Sequence, residues 1–239
     1  MDTDPRFRNA PDFSGAPFTD GNYQLSTASP AINKGINDSI PAWDTTDLAG
    51  NPRIFDNTVE MGAFEYQHVL IRPDANGILY VDSSNANNLS ANGSNWANAL
   101  PSFGDALTAA TDLNAAATTT ADSVHQIWVA KGTYQPDSGA YFYMLPNVKI
   151  YGSFAGTESS LAQRDLSSGD TSILKGNGNS VIRNDRNGLD TAAVLDGFVL
   201  AGGNASYGGG IYNQSSSPTL RNVTISGNSA DTYGGGVYN

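Results

Sequence analysis

The chain has 239 residues, 39% of them hydrophobic and only 15% charged, with 26 glycines and no cysteine. That content is too apolar for general disorder and too poor in charge for a helical bundle, and it excludes disulfides, thiolate metal sites and a cysteine nucleophile. A net charge of −11 without any Lys/Arg cluster excludes a surface that tracks phosphates, so nucleic acid is not an expected partner. Glycine together with abundant Asn, Ser and Thr marks many tight turns, because these residues tolerate positive φ or cap their own turns; the composition reads as all-β.

Residues 1–68 are irregular and rich in Pro, Asp and Asn. The opening Met1-Asp2-Thr3-Asp4-Pro5 lacks the basic and apolar regions of a signal peptide, so export would rely on a longer precursor. Candidate strands are Tyr23-Gln24-Leu25, Ala31-Ile32-Asn33 and the run from Val59 to Tyr66, separated by turns at Asp20-Gly21-Asn22, Ser29-Pro30 and Ala49-Gly50-Asn51-Pro52. Residues 69–77 read as a linker. Residues 78–239 open with a β run, Ile78 to Asp82, followed by a polar loop to Asn95.

One helix is predicted within residues 96–117. Ser102 is its N-cap and Asp105 the acid of a capping box, while Phe103, Ala106, Leu107, Ala110 and Leu113 form one apolar face. Thr118, Thr119 and Thr120 end it. From there the period switches to two. Ile127-Trp128-Val129-Ala130, Val148-Lys149-Ile150-Tyr151 and Ser172-Ile173-Leu174-Lys175 are strands between Gly, Pro and Asn turns.

Beyond Val194 the chain repeats itself. Tyr207-Gly208-Gly209-Gly210-Ile211-Tyr212-Asn213 returns 26 residues later as Tyr233-Gly234-Gly235-Gly236-Val237-Tyr238-Asn239. Upstream, the segment from Leu195 to Ala205 returns as Leu220 to Ala230 with an offset of 25. Two short β runs and glycine turns in about two dozen residues are the signature of a solenoid, whose units bury their apolar side only by stacking. The helix before the coils would cover the apolar end of the first one.

The segments Ile78 to Asp82, Asn95-Trp96-Ala97-Asn98-Ala99, Ile127 to Tyr134 and Leu145 to Glu158 resemble, in order and spacing, the opening coils of the right-handed parallel β-helix (pectin-lyase-like) repeat proteins of bacterial surfaces. Residues 1–66, with Asp4-Pro5-Arg6-Phe7, Asp20-Gly21-Asn22-Tyr23-Gln24-Leu25, Ser29 to Gly35, Asp47 to Arg53 and Val59 to Tyr66, resemble the closing segment of the same family. The order is inverted, which places the chain across the junction of two tandem repeats. The resemblance implies a right-handed parallel β-helix, secretion and display on a Bacteroidetes-like bacterium; the fold hosts both enzymes and passive adhesins. Four short Asp-Ser or Asp-Thr triplets beginning at Asp38, Asp44, Asp122 and Asp190 resemble the O-glycosylation signal of secreted proteins from such bacteria. A bare last coil and a bare closing segment would also let copies add head to tail.

Polysaccharide lyases of this fold hold calcium on clustered aspartates and use Arg or Lys as base. The acids available are Asp185, Asp190 and Asp196, with Arg183, Arg186 and Arg221 nearby in sequence. They do not recur at the coil spacing, since Asp196 is matched by Arg221, and they read as turn residues and solvated strand ends. Asp44, Asp47 and Asn51 offer the clustered hard oxygens that calcium takes. Asp74-Ala75-Asn76-Gly77 starts like a calcium loop, but its closing position is Ser83. His68 and His125 each stand alone before a β run, and Glu60 and Glu65, an odd number apart, would face opposite sides of a strand.

The tyrosines admit two readings. At a coil spacing of about 4.8 Å, Tyr212 lies over Tyr238 and Tyr207 over Tyr233, with Ile211 and Val237 turned to the core and the tyrosines outward. The rows either fix register or stack sugar rings. Asn213 and Asn239 would form an amide stack beside them. The sequence thus predicts an all-β right-handed parallel β-helix with an N-terminal capping helix, preceded by an irregular β-rich closing segment. Its expected function is that of a non-enzymatic module of an extracellular cell-surface adhesin or filament, with a polysaccharide lyase or hydrolase as the alternative. No cofactor is required, although calcium is admitted. The expected partners are adjacent repeats, further copies of the chain and surface glycans. No apolar run reaches the roughly 18 residues of a membrane helix, so no membrane insertion is expected.

Overall fold

The computed structural model describes residues 7–9, 22–25, 29–32, 34–54, 58–65, 70–86, 88, 90–120 and 123–239. The chain divides into two compact units, Met1–Val69 and Leu70–Asn239. Of residues 69–77, expected as a linker, residues 70–77 belong to the second unit. The Arg72 N–H donates to the Asn92 carbonyl at 3.0 Å. The Asp74 carboxylate accepts from the N–H groups of Asn76 and Ile78 and from the Tyr80 hydroxyl. The loop that began like a calcium site is an Asx turn that launches the first solenoid strand.

In the first unit, β1 (Phe7–Asn9) and β2 (Asn22–Leu25) pair antiparallel. β2 covers the strand expected around Tyr23. Ala31 and Ile32 form a turn instead of a strand, and Asn33 lies outside the described residues. Of the strand expected from Val59 to Tyr66, residues 59–65 are irregular chain with a bend at 61–64, where Gly62 takes φ 150°, and Tyr66 lies outside the described residues. Leu25, Ala31 and Val59 are buried there. The paired strands of this unit among the described residues run antiparallel.

The second unit is a parallel β-solenoid of about four turns. Its elements are β3 (Ile78–Val81), α1 (Phe103–Ala116), β4 (Gln126–Ala130), β5 (Gly132–Tyr134), β6 (Lys149–Phe154), β7 (Ser172–Lys175) and β8 (Ile182–Asp185). They continue with β9 (Val194–Ala201), β10 (Asn204–Tyr207), β11 (Ile211–Gln214), β12 (Thr219–Ser226), β13 (Ser229–Tyr233) and β14 (Val237–Tyr238). The longest wall stacks β3, β4, β6, β9 and β12, all parallel. The second half of β9 also receives β7, which carries β5 beyond it. A second wall is β8, β11 and β14, and a third is β10 and β13.

Alternation along the strands builds the core. Leu79, Ile127, Ile150, Leu195 and Leu220 share one column across the long wall, and all but Leu220 are fully buried. Tyr134, Leu174, Leu200 and Ile225 make a second column. The change of repeat offset from 25 to 26 is a register shift between Ala205 and Tyr207, where β10 pairs with β13. One inserted residue before the glycine corner is a β-bulge. The corner is glycine because backbone stacks directly on backbone. Gly208 and Gly234 take φ 60° and 68°, and a Cβ on Gly209 would fall on the Ser229 carbonyl.

The helix forms where predicted, with the Asp105 N–H donating to the Ser102 hydroxyl at 3.1 Å. Phe103, Ala106, Leu107 and Ala110 are buried against the solenoid core. Residues 96–98 form a single 3₁₀ turn ahead of it. That segment has a task of its own. Tyr80 N–H donates to the Gly93 carbonyl, Leu100 N–H to Tyr80, and Asp82 N–H to Leu100, at 2.8–2.9 Å. These bonds occupy the outer edge of β3, while Trp96 packs with Tyr80, Trp128 and Phe154 outside the wall.

Candidate functional site

The corner where the second and third walls meet gathers the repeated tyrosines. Parallel pairing puts Tyr212 beside Tyr238 and Tyr207 beside Tyr233. The rings of Tyr212 and Tyr238 stack at 5.4 Å and 8°, as the coil spacing predicts. Tyr207 approaches both Tyr233, at 6.1 Å, and Tyr238, at 5.3 Å, so the two rows merge into one cluster. Ile211 is fully buried, as assigned, whereas Val237 on the last coil is 42% exposed. The outward tyrosines are not equivalent, however. Tyr212 is only 9% exposed, because Tyr238 covers one face and the Arg183 guanidinium lies 4.2 Å over its ring; Tyr207 and Tyr233 are 40% and 65% exposed. As contact surface, Tyr207 and Tyr233 are available and Tyr212 is not.

Arg183 joins this corner because β8 pairs with β11 at an offset of 29 residues, which the 25- and 26-residue repeat does not encode. The available signal was the Ile-x-Asn pattern of Ile182-Arg183-Asn184, repeated in Ile211-Tyr212-Asn213. That register also corrects the amide stack. Buried Asn184 donates from Nδ2 to the Asn213 Oδ1 at 2.9 Å and accepts the Met144 N–H, so the partner of Asn213 is the preceding coil, while Asn239 is exposed. Arg183 reaches 3.1 Å from Asp185 and also faces the Tyr141 ring at 5.9 Å. Its planar group is thereby pinned on aromatic faces.

Beside this cluster runs an open groove of about 380 Å³, lined by Gly178, Asn179, Arg183, Asn204, Ser206, Tyr207 and Asp231 among others. Its walls are amide, hydroxyl, guanidinium, carboxylate and aromatic ring.

The lyase-type acids are not brought together into a carboxylate column. Asp185 pairs with Arg183 and sits before a turn in which Arg186 has φ 54°. Asp190 accepts the Ala192 N–H in a turn of its own. Asp196, expected as a solvated strand end, is 7% exposed. Its carboxylate binds Arg164 at 2.9 Å and accepts from Asn222 Nδ2. Arg164 also donates to the carbonyls of Gly152 and Asp196 and lies over Tyr151 and Phe154. This buried pair fills the place where β9 leaves β6 and joins β7. Gly197, with φ 82°, marks the kink, and Arg221 occupies the matching position on the next coil.

In the first unit, Asp47 lies in a loop closed by its own donors. Its carboxylate accepts from the N–H groups of Ala49, Asn51 and Glu65 and from the Asn51 side chain. Burial opposes its charge, but these hydrogen bonds outweigh that and hold its carboxyl below the ordinary 3.8. Asp44 faces Arg53 at 3.6 Å. Calcium at Asp47 would have to displace these donors, and Asp44 is turned toward Arg53. No group of three or more metal-binding side chains occurs among the described residues.

Glu65 does not lie opposite Glu60. The bend at 61–64 brings its carboxylate back to the Glu60 N–H at 3.2 Å and to Arg53, also at 3.2 Å. His125 contacts the Thr120 carbonyl from an exposed position, and His68 lies outside the described residues. No family model matches the chain, and no curated protein or solved structure does.

Proposed function

We propose that this chain is a non-enzymatic module of a secreted bacterial cell-surface protein, in which the solenoid serves as a stiff, stackable rod and displays a repetitive polar face. The observation that carries this reading is the register of the last two coils. Residues repeated at 25 and 26 positions come to lie side by side, and the outward positions of β10, β12 and β13 are Asn, Ser, Thr, Arg, Asp and Tyr left in contact with water. Such repetition gives a surface many equal contacts, as adhesive and filamentous proteins require. The acids that a lyase would draw on are committed to local pairs and turns, which favours display over catalysis. The resemblance to pectin-lyase-like surface repeats points the same way. Under this reading, the outer edge of β12 is where an adjoining repeat or a further copy would add.

Three measurements test the proposal. Intact producing cells should label with an antibody against residues 70–239. Neutral and acidic polysaccharides incubated with the protein should keep their chain length and yield no unsaturated sugar absorbance. Shortened chains would make the protein an enzyme and overturn the reading. Light scattering over a concentration series then separates a filament subunit, which grows, from a display module, which stays one size.

A further inference from the structure

Resting on the display reading above, we propose that the groove between β8 and the β10–β13 wall is a binding site for a neutral oligosaccharide. A sugar ring presents an apolar C–H face and a rim of hydroxyls that both donate and accept. The groove answers each feature. Tyr207 lines it and keeps 40% of its surface in water, and Tyr233 beside it keeps 65%, so a ring face can lie on either. Arg183 supplies donors, with Nη2 engaged by Asp185 and with Nε and Nη1 free of hydrogen-bond partners among the described residues. Asp231 supplies an acceptor that makes no hydrogen bond or ion pair among the described residues, and Ser206 adds a hydroxyl. Asn179 and Asn204 are already partly engaged, with Gly139 and Ser229 respectively, and act as fixed walls.

Two features argue for a neutral ligand. Arg183 is already paired with Asp185, so Asp231 and a net charge of −11 oppose uronates and sulfated sugars, and an amine would have to compete with Arg183 for the carboxylates. A polyol accepts from one group and donates to the other without either penalty. The site is also preorganised, because Arg183 is held over Tyr212 and beside Asp185 before any ligand arrives.

The test is affinity electrophoresis of the full chain through native gels containing mannan, xylan, β-glucan or polygalacturonate, followed by calorimetry with oligosaccharides of any polymer that retards it. Retardation by at least one neutral polymer and none by polygalacturonate is expected. Tyr207→Ala and Asp231→Asn each lie on exposed positions and should weaken binding about tenfold while leaving the melting temperature in place. Trp43→Ala, which removes the 82% exposed tryptophan of the other unit, should change nothing. Absence of retardation by every neutral polymer, retardation by polygalacturonate alone, or binding lost only in Trp43→Ala would overturn the proposal. Binding accompanied by polymer shortening would leave the groove standing and remove the display reading instead.

Discussion

The two ends of the solenoid carry the same kind of strand and treat it differently. On β3 the outer edge is hydrogen-bonded by residues 93–100, α1 packs on the core beneath, and Trp96 closes the outside. On β12 the outer edge has no strand partner among the described residues. Leu79 and Leu220 are the two terminal rungs of one leucine and isoleucine column, yet Leu79 is 0% exposed and Leu220 is 36% exposed. A parallel coil is indifferent to which neighbour satisfies it. What distinguishes an end from a repeat is non-repeating sequence spent on covering one edge.

This contrast can be broken most sharply at Leu79. Leu79→Ala should cost about 3 kcal/mol of stability, because it opens a cavity under the helix. Tryptophan fluorescence in a Trp43→Phe background reads the loss cleanly, since the remaining Trp96 and Trp128 both sit at the covered end. Next is the pair at the kink. Arg164→Ala strands the Asp196 carboxylate at 7% exposure and should cost about 3 kcal/mol in urea unfolding; a loss under about 1 kcal/mol would show that water reaches Asp196.

Alkaline pH should also act on the covered end. Burial pushes the Tyr80 hydroxyl up from 10.0 to about 12, helped by the Asp74 charge, and burial likewise pushes Tyr134 to about 12. Each folded value is raised, so the folded state resists losing the proton. Stability is then complete below pH 10 and falls as pH climbs from 10 towards 12, where the unfolded chain ionises first. Tyr80→Phe should flatten part of that fall in a pH-dependent melting series. The smallest effect is expected at the other end. Leu220→Ala should cost about 1 kcal/mol or less in urea unfolding, and a cost equal to that at Leu79 would mean that β12 is covered in solution.

Much of this contrast was legible along the chain. The capping residues of the helix, its apolar face and the two-coil repeat are local or periodic signals, and each survives folding unchanged. The offset change between 25 and 26 even marks the β-bulge, because register in a parallel stack is a sequence distance. The first unit was less legible. Apolar residues from Val59 onward suggest a strand, but the bend at 61–64 turns Glu65 back to Arg53 and Glu60, and no local pattern encodes that return.

The sequence by itself determined that this protein stacks coils, where its cap begins and which tyrosines lie side by side, because those properties depend on spacing alone. Only the tertiary structure decided that Tyr212 is covered by Arg183, that Asp196 is locked by Arg164 and that Asn213 pairs with Asn184. Each joins positions 29 or more residues apart across irregular early turns, where loop length varies and no constant offset connects one coil with the next.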